Sequence, residues 1–284
     1  MFGWKIKKKK TKWEQIKEKK AAFWSFIFLI SVCCLYFGVL YVQQDSLIYH
    51  PDDYYRSPQM SGFYNFKENP LKMADGTRVM TWYAPGDKSK PALLFFHGNS
   101  QQIATFAPQL NAFAQAGYPV LMMEYRGFGS TKGHLTQQNV FQDAVEAFDF
   151  LKSQGYSKIV AYGYSFGCAV AVGLTQYRNP DGVVLMAPFA SMSKIVDDKA
   201  PFASIILKNS FPSDKYIRTI HCPLLIMHGK DDPLIPYKHS EILYKAAVTP
   251  NKKLLLLDGV THHTIFFEPE NLSLIMDWLN KMEF

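Results

Sequence analysis

The stretch that most restricts how this chain can fold is Gly163-Tyr164-Ser165-Phe166-Gly167. It closes the apolar run Lys158-Ile159-Val160-Ala161-Tyr162 and opens a run of small residues from Cys168 to Leu174. A buried strand turning sharply into a helix would set Ser165 at the tip of the turn. Glycines at 163 and 167 remove side chains that would collide across so tight a bend. Three fixed positions in five also arise by chance, so the weight of this pattern depends on its partners elsewhere in the chain.

A serine hydroxyl is a poor nucleophile until an imidazole takes its proton, and the imidazole needs a carboxylate to hold its tautomer. Residues 223–229 read as a buried strand ending at His228-Gly229, and Asp231 and Asp232 follow in the loop before Pro233. The next apolar run, 253–257, ends at the turn Asp258-Gly259, with His262 and His263 just beyond it. Either aspartate serves as a turn former, and either histidine as a surface loop residue. Together with Ser165 they make a nucleophile, an acid and a base, each just past a strand end. Open α/β sheets place their ligands along that carboxyl edge. A further apolar run, 91–96, enters His97-Gly98-Asn99-Ser100. The backbone N–H of Asn99, paired with that of Phe166 after the nucleophile, is the expected oxyanion site. His97 is expected to brace this loop.

The motifs His97-Gly98-Asn99, Glu124-Tyr125-Arg126-Gly127-Phe128-Gly129-Ser130, Gly163 to Gly167 and His228-Gly229-Lys230-Asp231-Asp232-Pro233 stand in one order. In them the chain resembles the α/β-hydrolase superfamily, in the branch of membrane-anchored serine hydrolases related to serine aminopeptidases and protein depalmitoylases. The likeness covers about residues 75–284. It implies an acid four residues after His228, which selects Asp232 over Asp231, and a general base at His262. His263-Thr264 stand where relatives often carry asparagine and aspartate, and Glu124 where they often carry aspartate. Glu124 and Arg126 are assigned a structural role, holding the loop beneath the nucleophile.

Residues 1–20 hold nine lysines and two glutamates, a net of +7, which equals the formal net charge of the whole chain. The basicity therefore belongs to a tail, not to a folded nucleic-acid face. Residues 21–42 carry no charge over 22 positions, long enough to span a bilayer as a helix. The run exceeds the apolar core of a signal peptide and lacks an Ala-x-Ala site at its end, so a signal-anchor is expected. Lysines before the span place the amino terminus in the cytoplasm and the body periplasmic, lumenal or extracellular. Cys33 and Cys34 lie mid-span in a continuing apolar run, which argues against a processed lipoprotein, and Cys168 and Cys222 form no disulfide or metal framework.

The expected organisation is a lysine-rich tail (1–20), a membrane span (21–42), a linker with leading strands (43–74) and a catalytic domain (75–284). That domain is an α/β fold of the hydrolase kind, a mostly parallel sheet with helices on both faces and a small lid at about 190–222. Its strands are expected at 77–83, 120–125 and 183–186, with a helix over about 136–154. A last helix from near Glu270 should turn Leu272, Leu274, Ile275, Trp278 and Leu279 toward the sheet. Lid residues 203–207 and Phe211 either line an acyl pocket or pack the lid down, and packing is favoured. The reaction expected is hydrolysis of a carboxylic ester or thioester on an acyl or lipid-like substrate near the membrane, through Ser165, Asp232 and His262 without a cofactor or metal. A peptidase of the serine aminopeptidase type and a non-catalytic membrane scaffold are the alternatives.

Overall fold

The computed structural model describes residues 10–52 and 54–282. Residues 1–9, which include part of the lysine tail, lie outside the described residues. The chain divides into two compact units, Met1–Asp45 and Ser46–Phe284. In the first, helix α1 (Lys12–Ile48) begins, with a mean hydropathy of 2.3 over its most apolar 18-residue window. It is long and apolar enough to cross a membrane by length and composition. Phe23, Trp24, Phe26, Phe28, Leu35 and Val42 all stand exposed along it. An α-helix that is apolar all round suits lipid better than water.

The second unit is built on ten short strands: β1 (Lys67–Glu68), β2 (Leu71–Lys72), β3 (Arg78–Val79), β4 (Thr81–Ala84), β5 (Ala92–Phe96), β6 (Val120–Met123), β7 (Ile159–Tyr164), β8 (Gly182–Met186), β9 (Leu224–Gly229) and β10 (Lys252–Leu257). Eight of them form one sheet in the order β1-β4-β6-β5-β7-β8-β9-β10, antiparallel across β1/β4 and β4/β6 and parallel elsewhere. The remaining pair, β2 and β3, makes a separate antiparallel ribbon.

Both faces of the parallel part are covered, which explains its unbroken apolar runs. Helices α2 (Ile103–Gln115), α8 (Thr264–Phe267) and α9 (Pro269–Lys281) share a core with Leu93, Phe95, Tyr162 and Tyr164. On the other face α3 (Gln137–Ser153), α4 (Phe166–Leu174) and α7 (Lys238–Ala246) pack with Leu94, Phe96 and Ala161. Neighbouring residues of β5 and β7 thus point to opposite cores, as the period of a strand requires. This is the architecture of an α/β-hydrolase. The excursion between β8 and β9 holds α5 (Met192–Lys199), α6 (Ser213–Tyr216) and two short 3₁₀ turns, Ala203–Ile206 and Ile217–Thr219.

Three expectations are corrected. The strand expected over 77–83 is broken at Met80: β3 pairs with β2, whereas β4 joins the main sheet, and the Met80 N–H donates to the Thr131 hydroxyl at 3.0 Å. A bond to a side chain ends the ladder there. On α9, Leu272, Ile275 and Leu279 are buried but Leu274 faces solvent, because it falls off the stripe that those three define. In the lid Ala203 and Phe211 pack inward, yet Ile205 is 78% exposed beside an equally outward Phe202. Residues 46–74 belong to the compact second unit.

Candidate active site

Strand β7 ends at Tyr164, and Ser165 takes φ 54° and ψ −117° before α4 begins at Phe166. A non-glycine residue in this region is strained, and the surroundings must hold it there. They do so from both sides. The Ser165 N–H donates to the Met186 carbonyl at 2.8 Å. A Cβ at Gly163 would stand 2.5 Å from the Cys168 nitrogen, and one at Gly167 would overlap the Phe96 carbonyl. The two glycines therefore allow α4 to close down on β5 and β7. Cys168 is fully buried behind the turn, and burial pushes its thiol well above the usual range, so it stays protonated.

His262 follows β10, with Nε2 3.0 Å from the Ser165 hydroxyl oxygen and Nδ1 2.6 Å from Asp232 Oδ2. The serine O–H donates to Nε2, and the Nδ1–H donates to the carboxylate. Asp232 sits past the end of β9. Its Oδ1 accepts the N–H groups of Leu234 and Ile235, both at 2.8 Å. Burial alone would raise the Asp232 pKa, but donors from His228, His262 and the backbone outweigh it and hold the carboxyl well below the usual range. Asp231 and His263 stay outside this chain of bonds. The Asp231 N–H donates to the Val260 carbonyl, and the exposed His263 ring stacks on Phe267.

Two supports had no signal in the sequence as partners of the histidine and the acid. Tyr164 donates its hydroxyl to the His262 carbonyl at 2.9 Å, and burial keeps that phenol protonated. Ser240 lies 2.6 Å from His228 Nδ1, while His228 Nε2 is 2.9 Å from the Ile235 carbonyl and 3.2 Å from Asp232 Oδ2. A carbonyl can only accept, so Nε2 carries the proton and Nδ1 accepts from Ser240. The second histidine thus grips both the acid and the loop that cradles it. Ser240 lies on α7, 12 residues beyond His228, and the packing of α7 on β9 brings the two side chains together.

The loop after β5 abuts Ser165: a Cβ at Gly98 would be 3.6 Å from the Ser165 Cβ. His97 is buried between Tyr125 and Phe106, its ring 4.0 Å from that of Tyr125. Its Nε2 is 2.8 Å from Glu124 Oε1, and its carbonyl accepts the Tyr125 hydroxyl. Glu124 Oε2 also accepts the N–H of Ile103 in the first turn of α2, where a carboxylate is favoured. Arg126 works further out, with a bidentate grip on the buried Asp143 of α3 and a second bond to Asp75. Among the described residues no group of histidine, cysteine and carboxylate side chains is arranged to hold a metal ion.

The profile of the family described as serine aminopeptidase, S33, matches residues 87–218 and 214–270. The chain belongs to this family. The uncharacterized protein Rv2307c of Mycobacterium tuberculosis is 32% identical over 241 residues, covering 82% of this chain and 84% of that one. Lysophosphatidylserine lipase ABHD12 of Rattus norvegicus is 26% identical over 300 residues, covering 90% of this chain and 74% of the lipase. The crystal structure of Pyrococcus furiosus esterase Pf2001 superposes with a TM-score of 0.68 at 21% identity, covering 82% of this chain and 97% of the esterase. That likeness shows the shared fold. Family and fold together identify an esterase-like hydrolase as the class of this protein.

Proposed function

We propose that this protein is a serine hydrolase that cleaves carboxylic ester or thioester bonds of acyl or lipid-like substrates, with Ser165 as nucleophile, His262 as general base and Asp232 as its partner. The observation that carries the reading is the continuous chain of bonds from the Ser165 hydroxyl through both nitrogens of His262 to Asp232. Ser165 adds to the acyl carbonyl as its proton passes to His262 Nε2, and the N–H groups of Asn99 and Phe166 receive the oxyanion. His262 returns the proton to the departing alkoxide or thiolate, leaving an acyl-serine. Water, deprotonated by the same histidine, then releases the carboxylic acid and restores Ser165. The names of the lipase and esterase relatives favour acyl substrates over peptides. Residues 21–42 within α1 anchor the chain in a bilayer in a single pass, with the lysine tail cytoplasmic and the body across the membrane.

Labelling of the detergent-extracted protein with a fluorophosphonate probe tests this reading. Wild type should label, while Ser165→Ala should not. His262→Ala should label and turn over at least about a hundredfold more slowly. A panel of ester chain lengths, a thioester and an aminoacyl amide then ranks the leaving groups, with the amide expected last. A well-folded wild type that takes no label would favour the scaffold reading instead.

A further inference from the structure

The residues that follow the apolar helix run directly onto the oxyanion side of the site. The Asn99 side-chain Nδ2 donates to the Ile48 carbonyl at 2.5 Å, and the His50 N–H donates to the Asn99 carbonyl at 2.9 Å. His50 and Ser100 pair as an isolated parallel bridge. Between them the Tyr49 ring packs edge-on against Phe166, 5.5 Å between centroids, and Phe166 is held from its other sides by Tyr125 and Phe211. The segment is fastened again further along. Gln102 Nε2 donates to the Tyr54 carbonyl and to Asp52 Oδ2, and the Gly129 N–H donates to the Asp52 carbonyl.

Asn99 and Phe166 are the two residues whose N–H groups are assigned to the oxyanion. Both are gripped by residues 48–50 through atoms other than that N–H: the carbonyl and side chain of Asn99, and the ring of Phe166. Such a donor works only if it is held where charge will develop, and a shift of about 1 Å costs up to about a hundredfold in rate. Loop 97–100 has no regular secondary structure of its own to resist that shift.

We propose that Ile48, the last residue of the apolar helix, together with residues 49–52 and Tyr54 beyond it, forms a positioning strap that sets the Asn99 and Phe166 N–H groups for catalysis. The span would then be more than a tether, because its exit segment completes the active site. The inference rests on the hydrolase reading above. It assigns the strap no contact with substrate: Ile48, Tyr49 and His50 act through Asn99 and Phe166.

Two substitutions in the full-length protein test it. Asn99→Ala keeps the backbone N–H and removes the bond to Ile48. Gln102→Ala removes the bonds to the Tyr54 carbonyl and the Asp52 side chain, leaving the Gly129 bond to the Asp52 carbonyl at the far end of the strap. The Gln102 side chain makes no capping bond to α2 that would be lost with it. Turnover of a soluble p-nitrophenyl ester is measured per active site, with sites counted by fluorophosphonate titration and folding followed by thermal melting. Each variant should lower kcat by about tenfold or more with KM within about twofold, since the loss falls on the transition state. The double variant should lose less than the product of the two, because both slacken one strap. Wild-type kcat per titrated site in both variants would overturn the strap, and so would a fall in melting temperature without a fall in kcat. Wild type that neither labels nor turns over would sink the hydrolase reading itself, and the strap along with it.

Discussion

At the scale of single residues, Asp232 carries the most consequence for its size. Four donors converge on its two oxygens, from Leu234, Ile235, His228 and His262. Its pKa is depressed in the folded protein, so its charge contributes stability above the unfolded value of about 4 and loses that contribution as pH falls through the folded value. Asp232→Asn keeps acceptors for the backbone donors but turns an amide N–H toward a histidine N–H. We expect it to cost about 1–3 kcal/mol at neutral pH. The gap in melting temperature from wild type should narrow on acidification below about pH 4. A gap that is constant from pH 7 to pH 3 would show that the charge of Asp232 does not support the fold. The same residue shows how far the sequence was legible. Asp232 and Asp231 are equivalent as neighbours before Pro233, and the resemblance to a family, not their spacing, pointed to the one that the structure sets beside His262.

Between elements, the Glu124 and Arg126 pair divides its labour. Glu124 ties the loop after β5 to the start of α2, whereas Arg126 faces the other way and joins α3 to the turn at Asp75. Asp143 is 1% exposed, so removing its partner strands a buried carboxylate. Arg126→Met should therefore cost about 3–5 kcal/mol in urea unfolding, and the double variant Arg126→Met/Asp143→Leu should recover most of it. Turnover per titrated site should hold in both, since neither side chain reaches Ser165, His262 or Asp232. A single variant as stable as wild type would mean that α3 needs no such pin. The central strands were legible because burial on both faces leaves continuous apolar runs, and α9 because its apolar residues recur at helical spacing. The break at Met80 was not, because it depends on the Thr131 hydroxyl, 51 residues away in the chain.

For the whole molecule, the apolar span and the balanced body belong to two compact units, with the division in the chain after Asp45. The lysine excess precedes the span, so the proposed topology puts the amino terminus in the cytoplasm. In sealed vesicles, protease added from the cytoplasmic side should remove an amino-terminal tag and leave the body intact. Digestion of the body from that side would reverse the topology.

By itself the sequence determined the α/β class, the strand-turn-helix at Ser165, the apolar span and the short set of serines, acids and histidines that chemistry could use. These follow from patterns of a few residues, set by glycine sterics, side-chain period and charge. Only the tertiary structure decided which carboxylate meets which imidazole, that Tyr164 and Ser240 hold His262 and His228 from behind, and that residues 48–50 lie against Asn99 and Phe166. Most of those contacts join positions dozens of residues apart. Their geometry is set by how the layers pack, and no local run of residues encodes it.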